Sequence, residues 1–270
     1  MICFPNAKIN LGLNIVSRRP DGYHNLETIF VPIGLRDILE AVPARETALH
    51  PSGIALEGSD DDNLVLKAFR LLQAEKDVLP MALYLHKLIP FGAGLGGGSA
   101  DAAFLLALVN QMQQLGLSDD ELEAYASRLG ADCPFFIRNR AAFAQGIGNE
   151  FEDIPLPVGG MHLFLAIPPV AVSTREAYAG ITPKKPAVSL REAVKRPVDE
   201  WKDLIVNDFE ESIFPRHPEI AAIKQRLYDL GARYASMSGS GSAVYGLFDR
   251  PADLKQHFPA CFCWSGPLGE

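Results

Sequence analysis

Residues 90–103 read PFGAGLGGGSADAA, and the fold turns on how this stretch is understood. Five of the seven residues from Gly92 to Gly98 are glycine. They sit between an alternating run that ends at Pro90 and a helical run that opens near Ser99. A plain connector rarely needs so much glycine before a well-formed helix. Glycine lets the backbone approach a ligand closely, and amides at a helix N-terminus attract phosphate. Ser99, expected at or near the N-cap, adds a hydroxyl for a phosphate oxygen. The stretch predicts a phosphate-bearing ligand held by a loop between a strand and a helix.

Two well-known phosphate loops fail on context. Gly92, Gly94 and Gly97 formally spell GxGxxG. A dinucleotide fold, however, needs a second strand ending in Asp or Glu about 20 residues further on. The corresponding region here, QQLGLSDDELEAYASRL (113–129), reads as helix running into helix. A P-loop needs Gly-Lys, and that dipeptide occurs nowhere in the chain.

The composition narrows the classes. The chain has 270 residues, a formal net charge of -8 and 48% hydrophobic residues. It is long enough for one large domain or two modest ones with a real core. The acidic balance speaks against nucleic acid as a general partner, though not against a small anionic ligand. No apolar run reaches membrane-spanning length, and the N-terminus MICFPNAKINLGL carries no signal-peptide pattern, so a cytoplasmic protein with no membrane association is expected. Cys3, Cys133, Cys261 and Cys263 are too few and scattered for a disulfide scaffold. Cys261 and Cys263 lie in an apolar run that reads as a strand, and the histidines show no HxxH or HExxH spacing, so no structural metal is expected.

Outward from the loop, Ile9, Leu11, Leu13 and Ile15 alternate with polar or small residues, which predicts a half-buried strand. Lys8 and Asn10 share its opposite face, and the pattern alone fits a solvated face as well as a functional one. RRPDGYH (18–24) is a turn, and strands are expected near 26–33, 38–42 and 53–56. Asp60–Asp62 predict acidic capping of a helix beginning NLVLKAF, and 81–90 predicts another strand. A helix is expected over about 99–115, stopped by Gly116, and Ser118 with Glu121 predicts a capping box for the next. Ser173 with Glu176 and Ser189 with Glu192 predict two more. The Gly- and Pro-rich stretch 146–160 marks a candidate boundary, giving domains 1–154 and 155–270. The second reads as a small α+β domain of the split βαβ type: strand 161–168, helix 218–232, then a strand, the SGSGS turn and two further strands.

Three ordered motifs resemble the GHMP kinase superfamily: NAKINLGLNI (6–15), Pro90 to Ala100, and SMSGSGSAVYGLF (236–248). Within it, DGYH (21–24), GLGGGSADAA and GADCPFF (130–136) are similar to the branch whose acceptor is 4-diphosphocytidyl-2-C-methyl-D-erythritol. The resemblance implies a two-domain α/β architecture of α+β type, with a ribosomal protein S5 domain 2-like N-terminal domain and a ferredoxin-like C-terminal domain. It implies phosphorylation of that acceptor's 2-hydroxyl in the non-mevalonate isoprenoid precursor pathway, with ATP and Mg2+ and no obligate protein partner. A mevalonate- or homoserine-type kinase and a non-catalytic ligand-binding protein of the same fold are the alternatives. DGYH argues against the first, and retention of Lys8 and Asp132 against the second.

The implied roles attach to particular residues. Asp132 accepts the hydroxyl proton and Lys8 supports it. Without the resemblance, Asp132 would read as a solvated aspartate ending a helix. Asn10 binds the erythritol hydroxyls, while Tyr23 and His24 form a cytosine pocket. Pro90, Phe91, Gly92, Ala93, Gly94, Leu95, Gly96, Gly97, Gly98, Ser99 and Ala100 hold ATP. Ala100 stands where the family commonly has a second serine. Asn63 and Leu64 line the adenine site, though Asn63 reads equally well as a helix cap. Gly239, Ser240 and Gly241 close over the nucleotide and acceptor. No carboxylate cluster marks a protein cage for magnesium, so the ion is expected on phosphate and water.

Overall fold

The computed structural model describes residues 1–55 and 62–268. In chain order these form β1 (Ile2–Cys3), β2 (Asn6–Arg18), β3 (His24–Arg36), β4 (Ile38–Pro43), β5 (Ala48–Gly53), α1 (Leu64–Glu75) and β6 (Met81–Lys87). After the glycine loop come α2 (Gly97–Met112), α3 (Asp119–Ser127), α4 (Phe135–Arg138), β7 (Ala142–Gln145), β8 (Glu150–Asp153) and β9 (His162–Ile167). The remainder is α5 (Thr174–Tyr178), α6 (Leu190–Ala193), α7 (Trp201–Leu204), α8 (Phe209–Ile213), α9 (Pro218–Asp229), β10 (Tyr234–Met237), β11 (Val244–Phe248) and β12 (Phe262–Pro267).

The chain divides into two compact units. The first comprises Met1–Ala7, Leu35–Phe91 and Gly96–Arg140; the second comprises Lys8–Gly34, Gly92–Leu95 and Ala141 onward. This partition by contact interleaves the segments, whereas 1–154 and 155–270 describe order along the chain.

In the first unit β1, β4, β6 and β5 form one sheet in that order. β5 and β6 are parallel, as the intervening α1 crossover requires. Period-two alternation along β6 turns Met81, Leu83, Leu85 and Lys87 inward and Tyr84 and His86 outward. The helices cover the inner face through Phe69, Leu72, Leu105, Leu106 and Val109.

In the second unit β2, β3, β7 and β8 form a sheet, and β10, β11, β9 and β12 form another. The latter is wholly antiparallel in the ferredoxin-like order. Its first crossover carries α5 to α9, while the second holds only a 3-10 turn at Lys255–His257. Phe164, Phe209, Ile213, Leu227 and Val244 are among its core residues.

Several local expectations change. β2 is buried on both faces over its first ten residues, because backbone and side chains of its own unit cover the polar face as well as the apolar one. The strand expected near 53–56 instead ends at Gly53, which has positive φ and where a Cβ would lie 2.3 Å from the Lys87 carbonyl oxygen. Leu56, Asp60 and Asp61 lie outside the described residues. Asn63, not an aspartate, caps α1 by accepting from the Val65 amide at 2.9 Å. The Ser118–Glu121 capping box forms with both bonds, and Ser173 caps α5. Ser189 makes no side-chain cap, and Glu192 pairs with Lys195 instead.

Candidate active site

The glycine loop leaves β6 at Lys87 and enters α2 at Gly97. Gly92, Gly94 and Gly96 all have positive φ, the left-handed region that glycine enters without a Cβ clash. Gly96 is the N-cap, and no side chain caps the helix. Ser99 therefore lies in the first turn rather than at the cap, because the left-handed Gly96 starts the helix earlier than the serine suggests. An uncapped N-terminus leaves first-turn amides without helical partners, as anion binding requires. Gly96 to Ser99 are half-buried, whereas Phe91 and Gly92 are exposed.

Within the second unit the structure brings Lys8, Asn10, the loop tip and the SGSGS turn together. The Lys8 amide donates to the Leu95 carbonyl at 2.9 Å. Its ammonium donates to Asn10 Oδ1 at 2.6 Å and to the Gly94 carbonyl at 3.3 Å, and lies 4.7 Å from the centre of the Phe30 ring. Lys8 is only 3% exposed, which excludes a solvated edge lysine. A buried ammonium is costly unless held by such partners. Asn10 is engaged on both sides: Nδ2 donates to Thr28 Oγ1 at 2.9 Å while Oδ1 serves Lys8.

The SGSGS turn locks onto the same loop. Ser238 Oγ donates to the Gly94 carbonyl at 2.9 Å and accepts from the Asn10 amide at 3.1 Å. The Ala243 amide donates to the Ala93 carbonyl at 3.2 Å. At Gly94 a Cβ would stand 2.0 Å from the Ser238 carbonyl oxygen, so this contact admits only glycine. Gly239 and Gly241 have positive φ, and Ser240 between them is half-buried.

Sequence reading missed Asn207, which is 2% exposed. Its Nδ2 donates to the carbonyls of Met237 and Gly239, both at 2.8 Å, while Oδ1 accepts from the Phe209 amide. It fixes the turn from below. Its only sequence signal is an Asn-Asp pair after an apolar residue, which reads as a turn.

In the first unit Asp132 is half-buried on the turn between α3 and α4. Its neighbour Cys133 is fully buried, with the Ser99 hydroxyl beside its thiol. Burial pushes that thiol up to about 11, so it stays protonated near neutrality and anchors rather than reacts. The turn bearing Asp132 thus lies beside the first turn of α2. Asn63 and the half-buried Leu64 open α1, and a Cβ at Gly98 would approach Leu64 Cδ1 to 3.8 Å.

Tyr23 is 64% exposed, so its ring does not pack under the turn. His24 is half-buried and stacks on Tyr178, with ring centroids 5.0 Å apart and planes at 19°. Tyr178 went unnoticed in the sequence because it lies over 150 residues away and carries no motif.

Comparison with known proteins places the chain in a family. The GHMP kinases N terminal domain matches residues 63–140, and GHMP kinases C terminal matches 189–260. A protein of Parabacteroides distasonis named 4-diphosphocytidyl-2-C-methyl-D-erythritol kinase is 56% identical over 270 residues, covering 99% of this chain and 100% of its own. A Bacteroides thetaiotaomicron protein of the same name is 54% identical, covering 99% and 100%. A crystal structure of 4-(cytidine 5'-diphospho)-2C-methyl-D-erythritol kinase superposes with a TM-score of 0.85 at 33% identity, covering 100% of both chains. With full-length identity above half and both family segments in order, the chain belongs to the GHMP kinases, in the 4-diphosphocytidyl-2-C-methyl-D-erythritol kinase family.

Proposed function

We propose that the protein is an ATP-dependent small-molecule kinase that phosphorylates the 2-hydroxyl of 4-diphosphocytidyl-2-C-methyl-D-erythritol, yielding the 2-phosphate and ADP in isoprenoid precursor synthesis. The observation that carries the reading is the uncapped, glycine-started α2, with the half-buried Asp132 on the turn beside the buried Cys133 in the same unit. Phosphoryl transfer needs positioning and charge neutralisation more than covalent chemistry. In this reading residues 90–100 hold ATP phosphates on backbone amides, and Asn63 and Leu64 lie against adenine. Asp132 takes the hydroxyl proton as the acceptor oxygen bonds to the γ-phosphorus and the bridging bond to the β-phosphate breaks. Lys8, held by Asn10 and Gly94, supplies the positive charge that favours the alkoxide and the transferring phosphoryl.

Asn10 offers its second amide hydrogen to an acceptor hydroxyl. The exposed Tyr23 stacks on cytosine, and His24, backed by Tyr178, hydrogen-bonds its edge. Gly239 to Gly241 close over the bound substrates. The segment 1–154 carries ATP binding and the base, and 155–270 the closing motif. We place the enzyme in the cytoplasm, where its nucleotide is made; no helix among the described residues is long and apolar enough to cross a membrane.

Magnesium belongs to the reading as the counter-ion of ATP. Among the described residues no three His, Cys, Asp or Glu side chains gather as an ion site. In this reading the ion is carried by phosphate and water, as magnesium commonly is. It would offset phosphate charge, and the chain's own part is to hold the phosphates.

The test is ADP release with ATP and magnesium, offering the cytidylyl acceptor beside mevalonate and homoserine. Turnover on the first alone is expected. Turnover only on mevalonate or homoserine would overturn the cytosine pocket, and ATP binding without turnover on any would overturn the kinase reading.

A further inference from the structure

A buried charge cluster lies beneath the glycine loop and has no part in the chemistry above. Asp37, Lys87 and Asp101 are 0%, 2% and 2% exposed. The Lys87 ammonium donates to Asp37 Oδ2 and, at 2.6 Å, to Asp101 Oδ2. Asp37 Oδ1 accepts from the backbone amides of Leu88 and Ile89 at 2.6 and 2.8 Å. Those amides are the last before the loop, and Asp101 lies in α2 just beyond its first turn. One ammonium therefore ties the segment entering the loop to the helix leaving it. The ends also meet by packing, since a Cβ at Gly97 would come within 2.9 Å of Ile89 Cγ2 and 3.4 Å of Lys87 Nζ.

This arrangement is a poor way to gain stability. Two carboxylates share one cation, and Asp101 Oδ1 is buried with no hydrogen-bond partner among the described residues. Desolvating ions offsets much of what their attraction returns, and apolar residues of similar volume often serve a core as well or better. What the cluster provides is direction: it sets the spacing of the loop ends before ligand arrives. A loop whose ends are already placed loses less freedom on binding.

We propose that Asp37, Lys87 and Asp101 are positioning residues that staple the two ends of the glycine loop and thereby set the affinity for the triphosphate of ATP. The inference rests on the loop being the ATP cradle. The closing variant is Asp101→Leu, which keeps the branching of the side chain with somewhat bulkier ends, removes the orphaned oxygen and leaves a neutral Lys87–Asp37 pair. Its thermal midpoint is expected to match or exceed that of the wild type. Its KM for ATP is expected to rise roughly tenfold, with kcat and the acceptor KM within about twofold, as loss of uniform nucleotide binding predicts. Asp101→Asn, whose carboxamide oxygen still accepts from Lys87, should recover most of the ATP affinity.

A cooperatively folded Asp101→Leu with wild-type KM for ATP would overturn the staple. So would equal losses for both substrates, which mark a merely structural role. Should Asp101→Leu fail to fold, Asp101→Ala is read against Asp101→Asn by the same ATP titration, and equality of these two overturns it as well. If the wild type itself binds no ATP, the cradle reading falls and the staple with it. If the wild type binds ATP and the variants bind it equally, only the staple falls.

Discussion

Asp132 and Asp101 are half-buried and buried carboxylates of one unit, and their surroundings assign them different work. Asp132 sits on the turn between α3 and α4 and, in the proposed reaction, is the proton acceptor. Asp132→Asn is expected to lower kcat by on the order of 10²–10⁴-fold, the usual range for a lost general base, while a titration with ATP returns nearly unchanged affinity. Asp101 is pushed up to about 7 by burial, against the pull of Lys87 and with Asp37 adding to the rise. The unfolded chain releases this proton near 3.8, so between 3.8 and about 7 the folded state holds a proton that the unfolded state has lost. The stability contributed is complete at low pH and disappears as pH rises through this window. Asp101→Asn removes the titration, so its midpoint relative to wild type should climb by a few degrees between pH 5 and pH 8 in parallel melts. A constant difference across that range would contradict the assignment.

At the scale of elements, three segments of the second unit interlock: β2, the loop tip 92–95 and the SGSGS turn. Glycine is required where backbone meets backbone. Gly94→Ala drives a Cβ to 2.0 Å from the Ser238 carbonyl oxygen, whereas at Gly92 nothing lies within 4 Å. Both positions have positive φ, so each substitution carries a strain of roughly 1–2 kcal/mol. Only Gly94→Ala must also push the turn away. Its kcat/KM is expected to fall on the order of 10²-fold, with Gly92→Ala losing less than about tenfold, since only the former displaces groups about the site. Assays of the two variants side by side separate contact from strain, and equal losses would show that the interlock is unimportant.

At the scale of the whole molecule, the ferredoxin-like sheet is not self-sufficient. The Leu13 amide donates to the Val206 carbonyl at 2.9 Å, the Ile15 amide to Asp208 Oδ2 at 2.8 Å, and Tyr245 Oη to the Asn10 carbonyl at 2.9 Å. Leu13, Ile15 and Leu26 belong to the same apolar cluster as Phe209 and Val244. A chain cut at 154/155 deprives the second part of these hydrogen bonds, each worth about 0.5–1.5 kcal/mol net, and uncovers the apolar cluster that Leu13, Ile15 and Leu26 complete. Fragment 155–270 alone is therefore expected to show no cooperative melt by circular dichroism. A sharp transition in the isolated fragment would show that the later segments form a self-standing domain.

The sequence alone determined what depends on neighbours a few residues apart. Period-two alternation located β2 and β6, Ser118 and Glu121 announced their capping box, and the clustered glycines marked the loop between β6 and α2. Ordered motifs at both ends and in the middle carried the family. Tertiary structure decided what depends on residues far apart in the chain. It covered both faces of β2, which turned Lys8 from a candidate surface lysine into a buried one. It started α2 at Gly97 rather than Ser99, brought Tyr178 onto His24, and placed Asn207 under the SGSGS turn. It also set Asp37, Lys87 and Asp101 around one ammonium, although alternation along β6 already pointed Lys87 inward. The physical reason is range: propensity, periodicity and capping act within a turn or two of chain, whereas burial and hydrogen-bond partnership are properties of the packed molecule.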